Sequence, residues 1–371
     1  MKSLPKILFF VVAMAFVSLT NTVVAAEETH GDESEELNVR ELILHHISDS
    51  YGWHVTKIGE RDIEIPLPII LYSQNSGWNV FMSSKLHHGA IYNGFHITHE
   101  GENSGKIVEI TANGEEVRPI DISITKNAFS LLFSSTLLII IMIFVVRSYK
   151  KKPLEAKSGF TGMMELLITN IYDEVIKPCV GKDYKRYAPY LLTLFFFIFI
   201  NNVLGLIPIF PGGANVTGNI AVTAVLAITT FLIVNISGTK EYWKEIFWPD
   251  VPVWLKVPPI IPVIEFVGIF TKPFALMIRL FANVFAGHSI VLGLTCMIFI
   301  TVKLGTAMNM GMTALSVVFS VFIAFVEILV AYIQAYIFTM LSAVFIGLAR
   351  VEPHHAHKKK EVAVKETSEN N

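Results

Sequence analysis

The sequence predicts an all-α polytopic membrane protein of about five transmembrane helices, two of them long and tilted, with a small, mostly β domain outside the membrane. Three observations predict it. Hydrophobic residues make up 53% of the 371 residues and charged residues 16%, with a mean hydropathy of +0.54, too apolar for an ordinary soluble enzyme of this length. Five apolar stretches are about as long as, or longer than, the roughly 20 residues that cross a bilayer as a helix. The charges, which sum to -2, are segregated into the first third, the connecting loops and the tail.

The chain opens with Lys2 and Lys6, an apolar run, and Val24-Ala25-Ala26 before Glu27 and Glu28. This is the pattern of a signal peptide over residues 1–26, and it places the next segment outside the cytoplasm. Residues 27–126 form the extracytoplasmic domain. Turn signals at Asn75-Ser76-Gly77 and Asn113-Gly114, and the alternating stretch Lys106-Ile107-Val108-Glu109-Ile110, predict strands. Eight of the twelve histidines fall here: His30, His45, His46, His54, His87, His88, His96 and His99. They lack a helical ligand spacing with a partnering acid, so scattered surface histidines account for them as well as a metal site does. Cys179 and Cys296 sit far apart in apolar or membrane-proximal surroundings and are read as small apolar side chains.

The membrane region is residues 127–350. A first span over residues 128–146 ends on Arg147, Lys150, Lys151 and Lys152, which places that end in the cytoplasm. Residues 158–186 are amphipathic and predict a helix lying at the membrane face. A second span over 187–209 and a third over 219–236 flank a loop that carries no cation, Pro211-Gly212-Gly213, which is therefore external. Lys240, Lys244 and Lys256, with Trp243, Phe247, Trp248 and Trp254, mark the following segment as cytoplasmic and interfacial. Residues 262–302 and 312–349 are two long apolar stretches separated by a turn with Gly305 and Gly311. Each would be about 60 Å as a helix, twice the ~30 Å of hydrocarbon, so each is either one steeply tilted helix or a pair of shorter spans. Arg350, Lys358, Lys359 and Lys360 return the charged tail, residues 351–371, to the cytoplasm.

Glu265, Arg279, His288 and Glu327 lie inside the two long stretches, with Lys272 beside a break expected at Pro273. A charge in the bilayer centre costs about 2.5–3.5 kcal/mol on insertion scales, so such residues face a bundle interior, a wet cavity or a partner charge. At ~100° per residue, Arg279 and Asn283 share one helical face and Glu265 is offset from it by only ~40°. Glu327 and Gln334, seven residues apart, form a second stripe. Histidine titrates near neutrality and a buried glutamate can be shifted there, so His288 and Glu327 suit proton transfer between wet clefts. Arg279 is a fixed cation that can attract a partner's carboxylate and block leakage, but cannot itself carry a proton.

The stretch Arg279-Leu280-Phe281-Ala282-Asn283-Val284-Phe285-Ala286-Gly287-His288 carries a resemblance. With Thr271-Lys272-Pro273 before it and Gln334-Ala335-Tyr336-Ile337-Phe338 on the next helix, it resembles subunit a of F-type ATP synthases over residues 125–350, about three fifths of the chain. The resemblance implies that Arg279 faces the ion-binding carboxylates of a ring of c subunits, with Asn283 the motif asparagine, Gln334 the glutamine opposite the arginine, and Glu265 an acidic residue of the access path. His288 and Glu327 stand where some relatives hold Glu and His, a swap that implies two neighbours in one half-channel. Asn201, Asn202 and Pro208, with Asn215, Thr217 and Asn219, look like the family's polar lining. The external loop from Phe210 to Asn215 is shorter than in relatives with a charged insert. The implied mechanism is a non-catalytic stator: protons enter one half-channel, ride the c-ring, and leave by a second, with Arg279 between them. The implied partners are the c-ring, the peripheral-stalk subunit b, the rest of the synthase and the bilayer of a bacterial inner membrane, with no cofactor, metal or nucleic acid.

Three other classes fit the sequence less well. A secondary transporter with a midplane site would be built on broken helices near Pro273 and Gly287, but the two halves show no internal repeat. A membrane anchor for the external domain leaves the intramembrane Arg and Glu without a purpose. An intramembrane enzyme would need a set such as His-Glu-x-x-His or Gly-x-Ser-x-Gly, and the sequence has neither.

Overall fold

The computed structural model describes residues 49–58, 61–98, 103–111, 116–151, 155–207, 210, 212–248, 260–302 and 305–350. The expected signal peptide, the charged tail, Asn113-Gly114, His30, His45, His46, His99, Pro208, Pro211, Trp254 and Lys256 lie outside the described residues, as do the side chains of His54, His87 and His88. By its internal contacts the chain divides into two units. One joins the β region and the start of the first helix to Ile200–Asn219 and Asn283–Val330; the other gathers Ile140–Phe199, Ile220–Ala282 and the chain from Ala331.

Strands dominate the region before the first helix. β1 (Gly52–Ile58) pairs antiparallel with β2 (Arg61–Pro66). β3 (Pro68–Ser73) and β4 (Gly77–Met82) form a hairpin through the predicted turn, where Gly77 supplies φ 68°, a left-handed conformation that glycine adopts without a steric penalty. Alternation along β3 sends Ile69 and Leu71 into a core with Tyr51, Phe81, Leu86, Phe95 and Ile107. β5 (Phe95–Ile97), β6 (Ile107–Ile110) and β7 (Glu116–Val117) make a third sheet. On β6 the expected alternation fails: Ile107, Val108 and Glu109 are all buried. Glu109 is tolerated there because its carboxylate accepts hydrogen bonds from the Ser73 and Ser76 hydroxyls. β8 (Ile120–Asp121) joins β3, and the ladder continues toward the first helix through Ile122 N–H to Ile70 O (3.0 Å) and Ile124 N–H to Pro68 O (3.1 Å).

The helices follow from apolar length and their end signals. α1 (Lys126–Lys151) starts on Thr125, whose hydroxyl accepts from Ala128 N–H at 3.3 Å, and ends on Lys150 and Lys151. α2 (Gly159–Asn170), a π-helical segment (Ile171–Ile176), α3 (Lys177–Val180), a 3₁₀ turn (Gly181–Asp183) and α4 (Tyr184–Gly205) form one nearly unbroken helical run. The amphipathic segment and the second span, read separately from sequence, are thus continuous. The two are joined by the π-helical segment and by Gly181 at φ 75° rather than by a loop. α5 (Ile220–Ser237) and the short α6 (Lys240–Phe247), capped by the Thr239 hydroxyl, come next.

α7 (Ile260–Val302) and α8 (Thr306–Ala349) are single helices of 43 and 44 residues, which decides between the two readings of the long stretches in favour of the single helix. No break occurs at Pro273, which lies inside α7. Within a membrane, neighbouring groups can take up the hydrogen bond that proline removes. The turn between the helices is shorter than expected. Gly305, at φ 102°, makes it, while Gly311 is inside α8.

Candidate functional site

His288 on α7 and Glu327 on α8 meet, with Nδ1 and Oε1 4.0 Å apart and side chains 20% and 16% exposed. That separation exceeds a direct hydrogen bond and is short enough for one water to bridge. A glycine makes room for it: a Cβ on Gly287 would stand 2.5 Å from Glu327 Oε1. The imidazole also hydrogen-bonds the backbone of Gly205, at the end of α4, and of Val284, one turn back on α7, and lies within electrostatic range of Lys126.

A polar set from the α4–α5 connection lies in the same unit. The Thr217 hydroxyl donates to Asn202 Oδ1 at 2.7 Å, and both residues are buried. Asn201 and Asn215 are buried too, and neither amide atom of Asn215 has a partner among the described residues. A buried amide left in that state demands water. The link from this set to the pair that the contacts do give is Gly205, which borders the Ala214 carbonyl on one side and the His288 ring on the other.

Two residues were not singled out. Ser316 and Ser320 are buried, and their hydroxyls have no partner among the described residues. At ~100° per residue they fall within ~40° of Glu327 and Gln334, so α8 carries one polar stripe from Ser316 to Gln334. The signal was the helical spacing itself.

The other expected residues are placed differently. Arg279, Asn283 and Glu265 are exposed along one face of α7, and Gln334 is buried. Small residues, Ala275, Ala282 and Ala286, flank the arginine on that face and are exposed as well, whereas the opposite face presents Phe266, Phe270 and Phe274. Glu265 comes within electrostatic range of Tyr242 on α6, whose phenol is pushed above its usual range by burial first and by that carboxylate second. Lys272 lies over the Phe345 ring at 5.7 Å and lines a cavity of about 20 Å³ with Thr230, Asn235 and Tyr242, room for about one water.

Helices long and apolar enough to cross a membrane, with ionisable and amide side chains set within them, define a multi-pass membrane protein with polar machinery inside hydrocarbon. The chain belongs to the family described as ATP synthase A chain, whose model matches residues 129–347. Residues 42–127 match a separate model described as Domain of unknown function (DUF8433). Similar proteins include "ATP synthase subunit a" of Chlorobium phaeobacteroides, 44% identical over 243 residues, 64% of this chain and 68% of that protein. The subunit of the same name from Chloroherpeton thalassium is 41% identical over 247 residues, 65% and 70% of the two chains. That of Myxococcus xanthus is 38% identical over 257 residues, 66% and 80% of the two chains.

Proposed function

We propose that this chain is the proton-conducting stator subunit of an F-type ATP synthase. It is non-catalytic, and it loads and unloads protons on carboxylates of a rotating c-ring through two half-channels. The observation that carries the reading is the half-buried His288–Glu327 pair, 4.0 Å apart on two apolar helices, with Gly205 at the end of α4 against the imidazole. An imidazole and a carboxylate set side by side inside hydrocarbon form a pair of groups between which a proton can pass.

The exposed Arg279 face supports the second half of the mechanism. Small residues around a cation let another helix approach closely, and a guanidinium that stays charged holds a carboxylate presented there. Asn283 and Gln334 would orient the arginine and its partner, and Glu265 would belong to the exit path near Tyr242. The partners in this reading are the c-ring and the peripheral-stalk subunit b. Residues 27–126 lie outside the cytoplasm of a bacterial inner membrane, residues 127–350 form the conducting domain, and the tail is cytoplasmic.

The test is ATP-driven proton pumping in inverted vesicles carrying Arg279→Ala, with co-purification of the c-ring to show assembly. Pumping at background level in an assembled complex is expected. Pumping near the normal rate would make Arg279 structural and end this reading.

A further inference from the structure

The β region is joined to the conducting machinery by more than its peptide linkage. Lys126 N–H donates to Ser50 O at 2.9 Å and Asn127 N–H to Asp49 Oδ1 at 3.0 Å, so the strands and the first turn of α1 are bonded together. Trp53 of β1, 5% exposed, stands edge-on to Phe129 of α1 (centroids 6.0 Å, 82°) and to Phe210 of the α4–α5 connection (5.1 Å, 81°). Phe129 and Phe210 stack on each other at 5.7 Å.

Phe210 opens a segment that folds back on the polar site. Gly213 N–H donates to Leu204 O at 3.1 Å, Thr217 donates to Asn202, and Gly205 lies against the Ala214 carbonyl on one side and His288 on the other. Contacts thus tie Trp53 to Phe210, and tie the stretch that follows in the chain to Leu204, Asn202, Gly205 and, through Gly205, to His288 beside Glu327. The connection itself contains Gly212, Gly213 and Gly218, and a chain this rich in glycine has little intrinsic order. The three-ring wedge supplies what its own sequence lacks.

We propose that Trp53 is a positioning residue of the outer proton path: the β region wedges the 210–217 connection over Asn202 and His288 and so sets how water and protons reach the His288–Glu327 pair. The region matching a domain of unknown function thereby acquires a role in the conducting step. The inference rests on the function proposed above, and the two can fail separately.

The experiment uses the assembled complex in right-side-out vesicles, with Cys179→Ser and Cys296→Ser to remove the native thiols. Val216→Cys, at a position 1% exposed, reports on the connection through its rate of reaction with a membrane-impermeant maleimide added outside. Trp53→Ala and Phe210→Ala are each expected to raise that rate about two- to tenfold, the range that corresponds to losing an aromatic contact of this kind. The double variant should react no faster than either single one, and Trp53→Phe should restore the slow rate. Proton flux through membranes stripped of the catalytic sector should follow the same order. Alanine variants that keep their c-ring and react at the parental rate would overturn the proposal. Phe210→Ala, in a different segment, decides the matter if the Trp53→Ala complex does not assemble. Arg279→Ala runs in parallel: normal pumping there would sink the functional reading, while the maleimide rates still report whether Trp53 holds the connection.

Discussion

The acid and the base of the half-buried pair sit on different helices, and their order is a matter of chemistry rather than of backbone. His288 projects from α7 with Gly287 before it, and Glu327 reaches from α8 into the space that the missing Cβ leaves. If the pair works as a unit, what matters is one imidazole and one carboxylate in contact, not which helix carries which. His288→Ala and Glu327→Gln should each lower ATP-driven pumping by about tenfold or more, whereas His288→Glu combined with Glu327→His should recover much of the loss, the signature of coupled neighbours. Pumping assays on the three variants, normalised to c-ring content, check this. A double variant as inactive as the product of the singles would show two residues acting independently.

At the scale of elements, the packing of α8 beside α3 depends on a glycine. A Cβ on Gly347 would run into the Cys179 carbonyl, which is backbone and cannot swing aside, and the helix end is further tied by Arg350 to Asp183 (Nε–Oδ2 2.8 Å). Gly347→Ala should therefore destabilise the detergent-solubilised chain by about 1–3 kcal/mol through overpacking. Gly293→Ala on α7, where a Cβ meets nothing within 4 Å, should be neutral or stabilising by up to about 1 kcal/mol. Thermal unfolding midpoints of the two variants check the contrast, and equal shifts would contradict it. These elements also show what the sequence can and cannot disclose. The spans, and the ionisable residues within them, were legible because hydropathy and charge are strong, local signals. The continuity of α2 to α4 was not, because a π-helical segment at Ile171–Ile176 leaves no mark on composition. Ser316 and Ser320 were missed because two hydroxyls barely lower the hydropathy of a helix, although their spacing from Glu327 was there to be read. The burial of Glu109 on β6 was not legible either, because the two serine hydroxyls that satisfy its carboxylate come from the neighbouring hairpin, distant in sequence.

For the molecule as a whole, the governing fact is that α7 and α8 are too long to stand upright in a bilayer and remain largely uncovered by the rest of the chain. At 1.5 Å per residue, helices of 43 and 44 residues run about 65 Å, roughly twice the hydrocarbon thickness. Such a length is accommodated by tilt, and tilt is set by what a helix packs against. The two exposed faces of α7 differ in a way that separates a protein partner from lipid. Ala275, Ala282 and Ala286 around Arg279 would allow a second helix to approach closely, while Phe274, 61% exposed on the other side, offers bulk that lipid chains can surround. The proposed rotor contact therefore makes a directional prediction. In the complex freed of Cys179 and Cys296, a photoreactive maleimide placed on Ala286→Cys should form adducts with the c subunit upon illumination. The same reagent on Phe274→Cys should give c adducts at about a tenth of that yield or less, if close approach is confined to the small-residue face. Mass spectrometry of the adducts is the measurement. Comparable yields from the two positions would mean that the face bearing Arg279 is not the one turned to the ring, and the fixed cation would then have no carboxylate to meet.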